Sequence, residues 1–531
     1  MSEQNQGGGE STGQGAGTAG APPSELKGVL GWIERTGNGL PDPVLIFVWL
    51  MVAVVLVSAN AAATGLSAVN PVTKEVIEAQ SLLSGEQLRH FLTQMPETLM
   101  GFRPLGLVLV VMLGAGVAER VGLFGAAMRA GMRRAPTALL TPAVAFLAMM
   151  SNLAVDAAYV VLIPLAGVIY AGAGRHPIAG IAAAFAGVSG GFSANLLPGQ
   201  LDALLFGITE EGAQILVSDW TATIAGNWFF MAIMLFAYMP VIWYVTDRLI
   251  EPRLGPWTAL PGADEGGARD GDLSQGESRG LRLAGLVVLG VTALWAYLGF
   301  GPGAPLRDLS VDPAYQLRPF YTSLVAYFFI VFLGASIAYG ASARTIRSHR
   351  DVVDMMTASM SSMSYYIVLA FVAAHFVEFF ALSKLGIIMA VTGADLLRAS
   401  GLPAPLLLVM VIFLASGVNI FVGSASAKWA FLAPILVPML MLLNISPEMT
   451  TAAYRVGDSA TNIVTPLMVY FPLVLTFCQR WRADFGLGSL MAVMIPYGLW
   501  FLAAGSVMTL VWALLNLPLG PGAGIGYELP G

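Results

Sequence analysis

The chain has 531 residues, 56% of them hydrophobic and only 11% charged, with a mean hydropathy of +0.74. A soluble domain carries about 25% charged residues, so most of this chain is suited to lipid. The net charge of −6 gives no basic footprint for nucleic acid, and the single cysteine, Cys478, excludes an internal disulfide framework and any multi-cysteine metal site.

Residues 1–26 are Gly, Ser, Gln and Thr with almost no apolar side chains, a composition that predicts a disordered tail. No basic segment precedes a short apolar run there, so no cleavable signal peptide is predicted. A transmembrane domain follows over residues 27–520. Predicted crossings, each near the 20 or so apolar residues a bilayer requires, take residues 43–66 and 104–121. Between them residues 70–103 read as a polar, acidic loop carrying Glu75, Glu78, Glu86 and Glu97. Arg129, Arg133 and Arg134 come next, and residues 138–205 form a first interrupted region. Residues 220–246 cross, and 248–282 read as a charged, Gly-rich linker. Residues 283–300, 322–339 and 365–381 cross, 402–475 form a second interrupted region, and 490–515 are the last span. Residues 521–531 read as a C-terminal tail.

The two interrupted regions resemble one another. Shifting the first by 270 positions lays Pro164 on Pro434, Pro177 on Pro447, Ala182 and Ala183 on Ala452 and Ala453, Gly187 on Gly457 and Ser189 on Ser459. Residues 156–190 give eight identities in 35 positions. Paired Gly/Pro-interrupted apolar segments in two halves point to a transporter's binding site. The basic clusters at Arg129/Arg133/Arg134, Arg344/Arg347/Arg350 and Arg480/Arg482 predict cytoplasmic loops and a cytoplasmic N-terminus. Arg175 and His176 precede Pro177, whereas Asn444 and Ser446 precede Pro447 and Glu448 follows it, so the copies are predicted to be inverted.

Backbone at membrane depth is tolerated away from regular helix only where it lines a cavity or is buried in protein. A broken helix frees carbonyls for a cation, and its N-terminal N–H groups suit an anion. Sodium, a hard cation, takes oxygen ligands. Asn419, Asp458 and carbonyls near Ala415 and Gly423 supply such a set, with Ser151, Asn152 and Asp156 as candidates in the first copy. Arg455 offers a planar fork for a carboxylate, and Trp429 a flat face for an aromatic ring.

These residues resemble the AbgT family of transporters, named for p-aminobenzoyl-glutamate uptake and linked to export of sulfonamide antimetabolites. The resemblance is carried by Asn419-x3-Gly423, the run from Ser424 to Trp429, Pro447, the run from Tyr454 to Ser459, and Thr461-Asn462. It implies an all-α polytopic membrane protein of about nine transmembrane helices plus two re-entrant hairpins in an inverted repeat, forming a homodimer in a bacterial inner membrane. It implies that Asp202, Trp429, Pro447 and Arg455 line the substrate route, and that Ala415, Asn419, Gly423 and Asp458 hold sodium. Ser459 and Asn462 are secondary candidates. No cofactor is expected, only a coupling ion, Na+ or H+.

Each residue also has a plainer reading. Asp458 lies three residues from Arg455 and could pair with it. Asn419 could be an interhelical hydrogen-bonding residue, and Trp429 an interfacial one. Lys428 is read as snorkelling to the interface. Asp202 could merely start a helix, and Gly187 and Gly457 serve close packing or hinges. His375 and Glu378 are read as a hydrogen-bonded pair facing another helix. No nucleotide-binding loop or nucleophile–base pair stands out, so an enzyme is not expected. Ion-coupled transport of an aromatic carboxylate leads. Proton-driven efflux of sulfonamide-type antimetabolites is the main alternative, and a gated channel or a scaffold the more distant ones.

Overall fold

The computed structural model describes residues 42–69, 76–132, 139–154, 158–257, 273–311, 316–465, 468 and 470–529. The expected N-terminal tail lies outside them, as do residues 258–272 of the predicted linker and Asp156.

Asp42 opens α1 (Pro43–Ala63): its carboxylate accepts from the Val44 N–H at 2.8 Å, and a proline fills the first helical position. A ribbon of β1 (Ser67–Val69) antiparallel to β2 (Val76–Glu78) follows. α2 (Gly85–Gly101), capped by Ser84, and α3 (Arg103–Arg120) come next. The acidic segment predicted as a loop is thus largely ribbon and amphipathic helix. α4 (Leu123–Met132) and α5 (Leu140–Met150) lead into the first interrupted region, which holds α6 (Ile163–Gly172), α7 (Pro177–Phe185) and α8 (Gln200–Gln214). α9 (Trp228–Tyr244) continues through a π-helical stretch to Leu254.

α10 (Gln275–Phe300) starts inside the predicted linker, because Ser274 and Glu277 form a capping box that the sequence displays openly. α11 (Leu324–Ala343), α12 (His349–Ser362), α13 (Ser364–Leu382) and α14 (Leu385–Ala399) follow. The second interrupted region contains α15 (Ala404–Phe421), α16 (Ala425–Met441), α17 (Pro447–Thr461) and α18 (Phe471–Gln479); α19 (Leu487–Leu515) closes the bundle. Among the described residues eight helices are long and apolar enough to cross a membrane, against about nine expected, and the interrupted regions supply shorter apolar helices. α7, with nine residues, cannot span a bilayer and is buried along its whole length.

The two copies obey the 270-residue shift in three dimensions. α7 begins at Pro177 and α17 at Pro447. In the turns before them, Gly174 (φ +74°) and Asn444 (φ +61°) occupy the left-handed region, which glycine and asparagine enter at least cost. The backbone bonds also correspond: Arg175 N to Tyr170 O at 2.8 Å matches Ile445 N to Leu440 O at 3.0 Å. Gly187 backs onto Ala145 and Ala148, and Gly457 onto Ile412 and Ala415. Both are close-packing positions: a methyl added at Gly457 would lie 2.2 Å from the Ile412 carbonyl oxygen.

The turns lie at opposite ends of the bundle. His176 meets Trp257, which meets Trp481 just before α19 begins. Asn444 and Ser446 instead bond to Tyr527 and Ile525, beyond the end of α19. That helix has 29 residues and is about 43 Å long at 1.5 Å per residue.

Candidate functional site

α15, α16 and α17 converge on a buried polar cluster. Asn419, on α15, is fully buried. Its Nδ2 donates to the Asp458 carbonyl at 2.7 Å and lies 2.8 Å from Thr461 Oγ1 and 3.0 Å from Asn462 Oδ1. Its Oδ1 accepts from the Lys428 ammonium, which also donates to Asp458 Oδ1. Both side chains of that ion pair are 0% exposed. Lys428 therefore does not snorkel. It sits in the first turns of α16, four residues past the Ser424 cap, where Asp458 supplies its ammonium with a buried carboxylate partner.

A second buried pair lies beside it. Asp202, on α8, accepts from Arg455 Nη2 at 2.5 Å through Oδ1 and from its own Gly199 N–H at 2.6 Å through Oδ2. The helix-start reading and the functional reading of Asp202 are both satisfied by one side chain. Arg455 lies over the Phe206 ring at 5.8 Å and touches Met231 Sδ at 3.0 Å. The predicted alternative of an Arg455–Asp458 pair is replaced by two pairs, Arg455–Asp202 and Lys428–Asp458, because the two residues turn toward different neighbouring helices.

Arg455 and Asp202 line a cavity of 440 Å³ with Asn152, Tyr159, Ser193, Asn195, Ser424, Ser426, Asn462 and Tyr470. Both interrupted regions thus contribute to one chamber. Tyr159 and Tyr470 stack at 4.1 Å. Ser193 and Asn195 are buried, and Ser193 Oγ and Asn195 Oδ1 have no hydrogen-bond partner among the described residues. Sequence reasoning missed both; the signal available was their place in and just after the Gly/Ser-rich run Ser189–Ser193 that ends the short helix of the first interrupted region.

The remaining candidates are dispersed. Trp429 is fully buried with one face stacked on Tyr454 at 4.4 Å, and its Nε1 donates to Thr209 Oγ1 at 2.9 Å. Its ring is therefore occupied, contrary to the expectation of a free platform. Pro447 heads α17 at the far end, where Ser446 and Glu448 line a separate 690 Å³ cavity with Asp219, Arg318 and Tyr527. Ala415 lies inside continuous α15, so the break that frees backbone falls later, at residues 422–424, which include Gly423. Ser151 and Asn152 bond back to the Ala148 and Met149 carbonyls at 2.6 and 2.9 Å. Ser459 is buried, its hydroxyl unpartnered among the described residues. His375 and Glu378 do not pair with each other: Glu378 bonds His90 at 2.9 Å and Thr98, both on α2, while His375 bonds the Phe371 carbonyl at 2.7 Å.

A family model described as "AbgT putative transporter family" matches residues 28–527. The chain is 38% identical over 502 residues to the p-aminobenzoyl-glutamate transport protein of Escherichia coli K12, covering 94% of this chain and 98% of that one. The crystal structure of the YdaH transporter of Alcanivorax borkumensis superposes with a TM-score of 0.85 at 43% identity, covering 91% of this chain and all of the other. MtrF of Neisseria gonorrhoeae, described as illuminating a class of antimetabolite efflux pumps, superposes at 0.87 with 41% identity, covering 93% and 99%. Two buried charge pairs, a chamber shared by two inverted copies and these full-length likenesses agree: this is a multi-pass membrane transporter, not an enzyme, and the chain belongs to the AbgT transporter family.

Proposed function

We propose that the chain is an ion-coupled secondary transporter that carries p-aminobenzoyl-glutamate or a related aromatic carboxylate across a bacterial inner membrane by alternating access. In this reading it works as a homodimer with a cytoplasmic N-terminus, its short paired helices acting as re-entrant hairpins. The observation that carries the reading is the Arg455–Asp202 pair on the wall of a chamber built from both copies. A substrate carboxylate competes with Asp202 for the guanidinium fork. Tyr159 and Tyr470 offer the ring an aromatic wall, and Trp429 stays packed behind it. Asn419 and Asp458 take the coupling cation, sodium in the leading version.

The test is uptake of radiolabelled p-aminobenzoyl-glutamate into proteoliposomes under an imposed sodium gradient and, separately, an imposed proton gradient. Sodium-driven accumulation should be lost in Asp458→Asn, and Arg455→Ala should reduce transport at least tenfold. Unchanged sodium activation in Asp458→Asn would remove that residue from the ion site. The likeness to MtrF favours a second reading, proton-driven efflux of antimetabolites; movement driven only by protons would select it.

A further inference from the structure

Lys428 occupies two of the oxygen atoms that a coupling cation would use, while Asp458 Oδ2 has no hydrogen-bond partner among the described residues. Its ammonium bonds Asp458 Oδ1 and Asn419 Oδ1, so the carboxylate already has its counter-charge. The pair is completely shielded from solvent. In such surroundings one carboxylate neutralises one cation, and a second would be left as an uncompensated buried charge. A sodium ion and the ammonium therefore exclude one another at this position.

The internal repeat gives an independent reason to treat the lysine as part of the ion site. At a shift of 270, Asn419, Lys428 and Asp458 correspond to Met149, Ala158 and Val188. All three polar members are absent together from the first copy, although its turn and its close-packed glycine are retained. A lysine serving only the packing of α16 has no need to accompany the other two.

We propose that Lys428 is a tethered counter-cation. Its ammonium holds the Asp458 and Asn419 oxygens when no coupling ion is bound, and the incoming ion must displace it. This rests on the reading that Asp458 and Asn419 form the coupling-ion site. Displacement bears on the substrate chamber, because Lys428 lies one helical turn beyond Ser424, and Ser424 and Ser426 line that chamber. Ion entry is thereby linked to movement of a chamber wall.

The experiment is thermal unfolding of the purified full-length protein, wild type and Lys428→Met, titrated with sodium chloride against choline chloride at constant ionic strength. Removing the competitor leaves a buried carboxylate without a counter-charge, so the variant should be stabilised by sodium with a half-saturating concentration at least tenfold below that of the wild type. Sodium response in the variant alone, or a variant that folds only in sodium, supports the proposal equally. Equal half-saturation in both proteins overturns it while leaving sodium coupling intact. No sodium response in either overturns both readings. If Lys428→Met folds in neither salt, Lys428→Gln takes its place. If that also fails to fold, the pair is structural and the proposal falls.

Discussion

Trp429 illustrates how one side chain is fixed by its neighbours. Its indole N–H meets Thr209, whose hydroxyl meets Thr451 at 2.8 Å, and Thr451 in turn donates to the Pro447 carbonyl at 2.7 Å. The chain of bonds runs from α16 through α8 to α17, so Trp429 ties three helices together at a buried point. Replacing Thr209 by Val keeps the shape and removes a hydroxyl that serves both neighbours. A net hydrogen bond contributes about 1 kcal/mol, and an unsatisfied buried donor costs more. Thr209→Val should therefore lower stability by about 1–3 kcal/mol, read from the apparent melting temperature in detergent, without altering ion preference. The residue types at the site were largely legible in the sequence, because a charge inside an apolar run is costly enough to stand out. Their partners were not. Arg455 and Asp458 lie three apart on one helix, yet tertiary packing sends each to a different helix, 253 and 30 residues away in sequence.

At the level of elements, the matched turns follow from backbone geometry more than from side-chain identity. Gly174 has open space around its would-be Cβ, so substitution there tests the left-handed conformation alone. Gly174→Ala should cost about 1 kcal/mol, whereas Asn444→Gly should change stability by only a few tenths of that. Comparable losses in both would mean that the turns are held by contacts instead of by dihedral preference. The prolines that open α7 and α17 announced these turns in the sequence, whereas the crossing predicted from residue 283 misses the start of α10, because the capping box of Ser274 and Glu277 falls in a stretch that reads as charged linker. The amphipathic α2 was missed because its apolar stripe is thin: none of its residues is fully buried. It is joined to α13 through His90, Thr98 and Glu378, long-range contacts that no local pattern announces.

Across the molecule, α17 extends from one cavity to the other, its first turn on the 690 Å³ chamber and its last turns on the 440 Å³ chamber. A rigid displacement of that helix changes both chambers together, which is the mechanical requirement of alternating access. The inverted arrangement can be tested by labelling. In a Cys478→Ala background, where the buried native thiol is gone, Gly172→Cys and Glu528→Cys place single thiols at exposed positions beside the two turns. A membrane-impermeant maleimide should reach them from opposite faces of the membrane, and labelling of both from one face would break the inversion. The repeat was visible in the sequence through its prolines and small residues. The helix inventory was less so, since length and composition do not reveal where a shortened helix is sheltered by its neighbours.

The asymmetry between the copies also has an electrical meaning. Among the described residues, one Asn–Lys–Asp set exists per chain, and its mirror position is apolar. With a single exchangeable monovalent ion and a substrate bearing two carboxylates, each symport cycle would carry net negative charge across the membrane. An inside-negative potential opposes inward movement of that charge and assists its outward movement, by about 2.3 kcal/mol per elementary charge at 100 mV. The resting voltage of the cell would thus bias the direction of turnover as strongly as a large concentration gradient, and the number of buried carboxylates in one half of the repeat would set that bias.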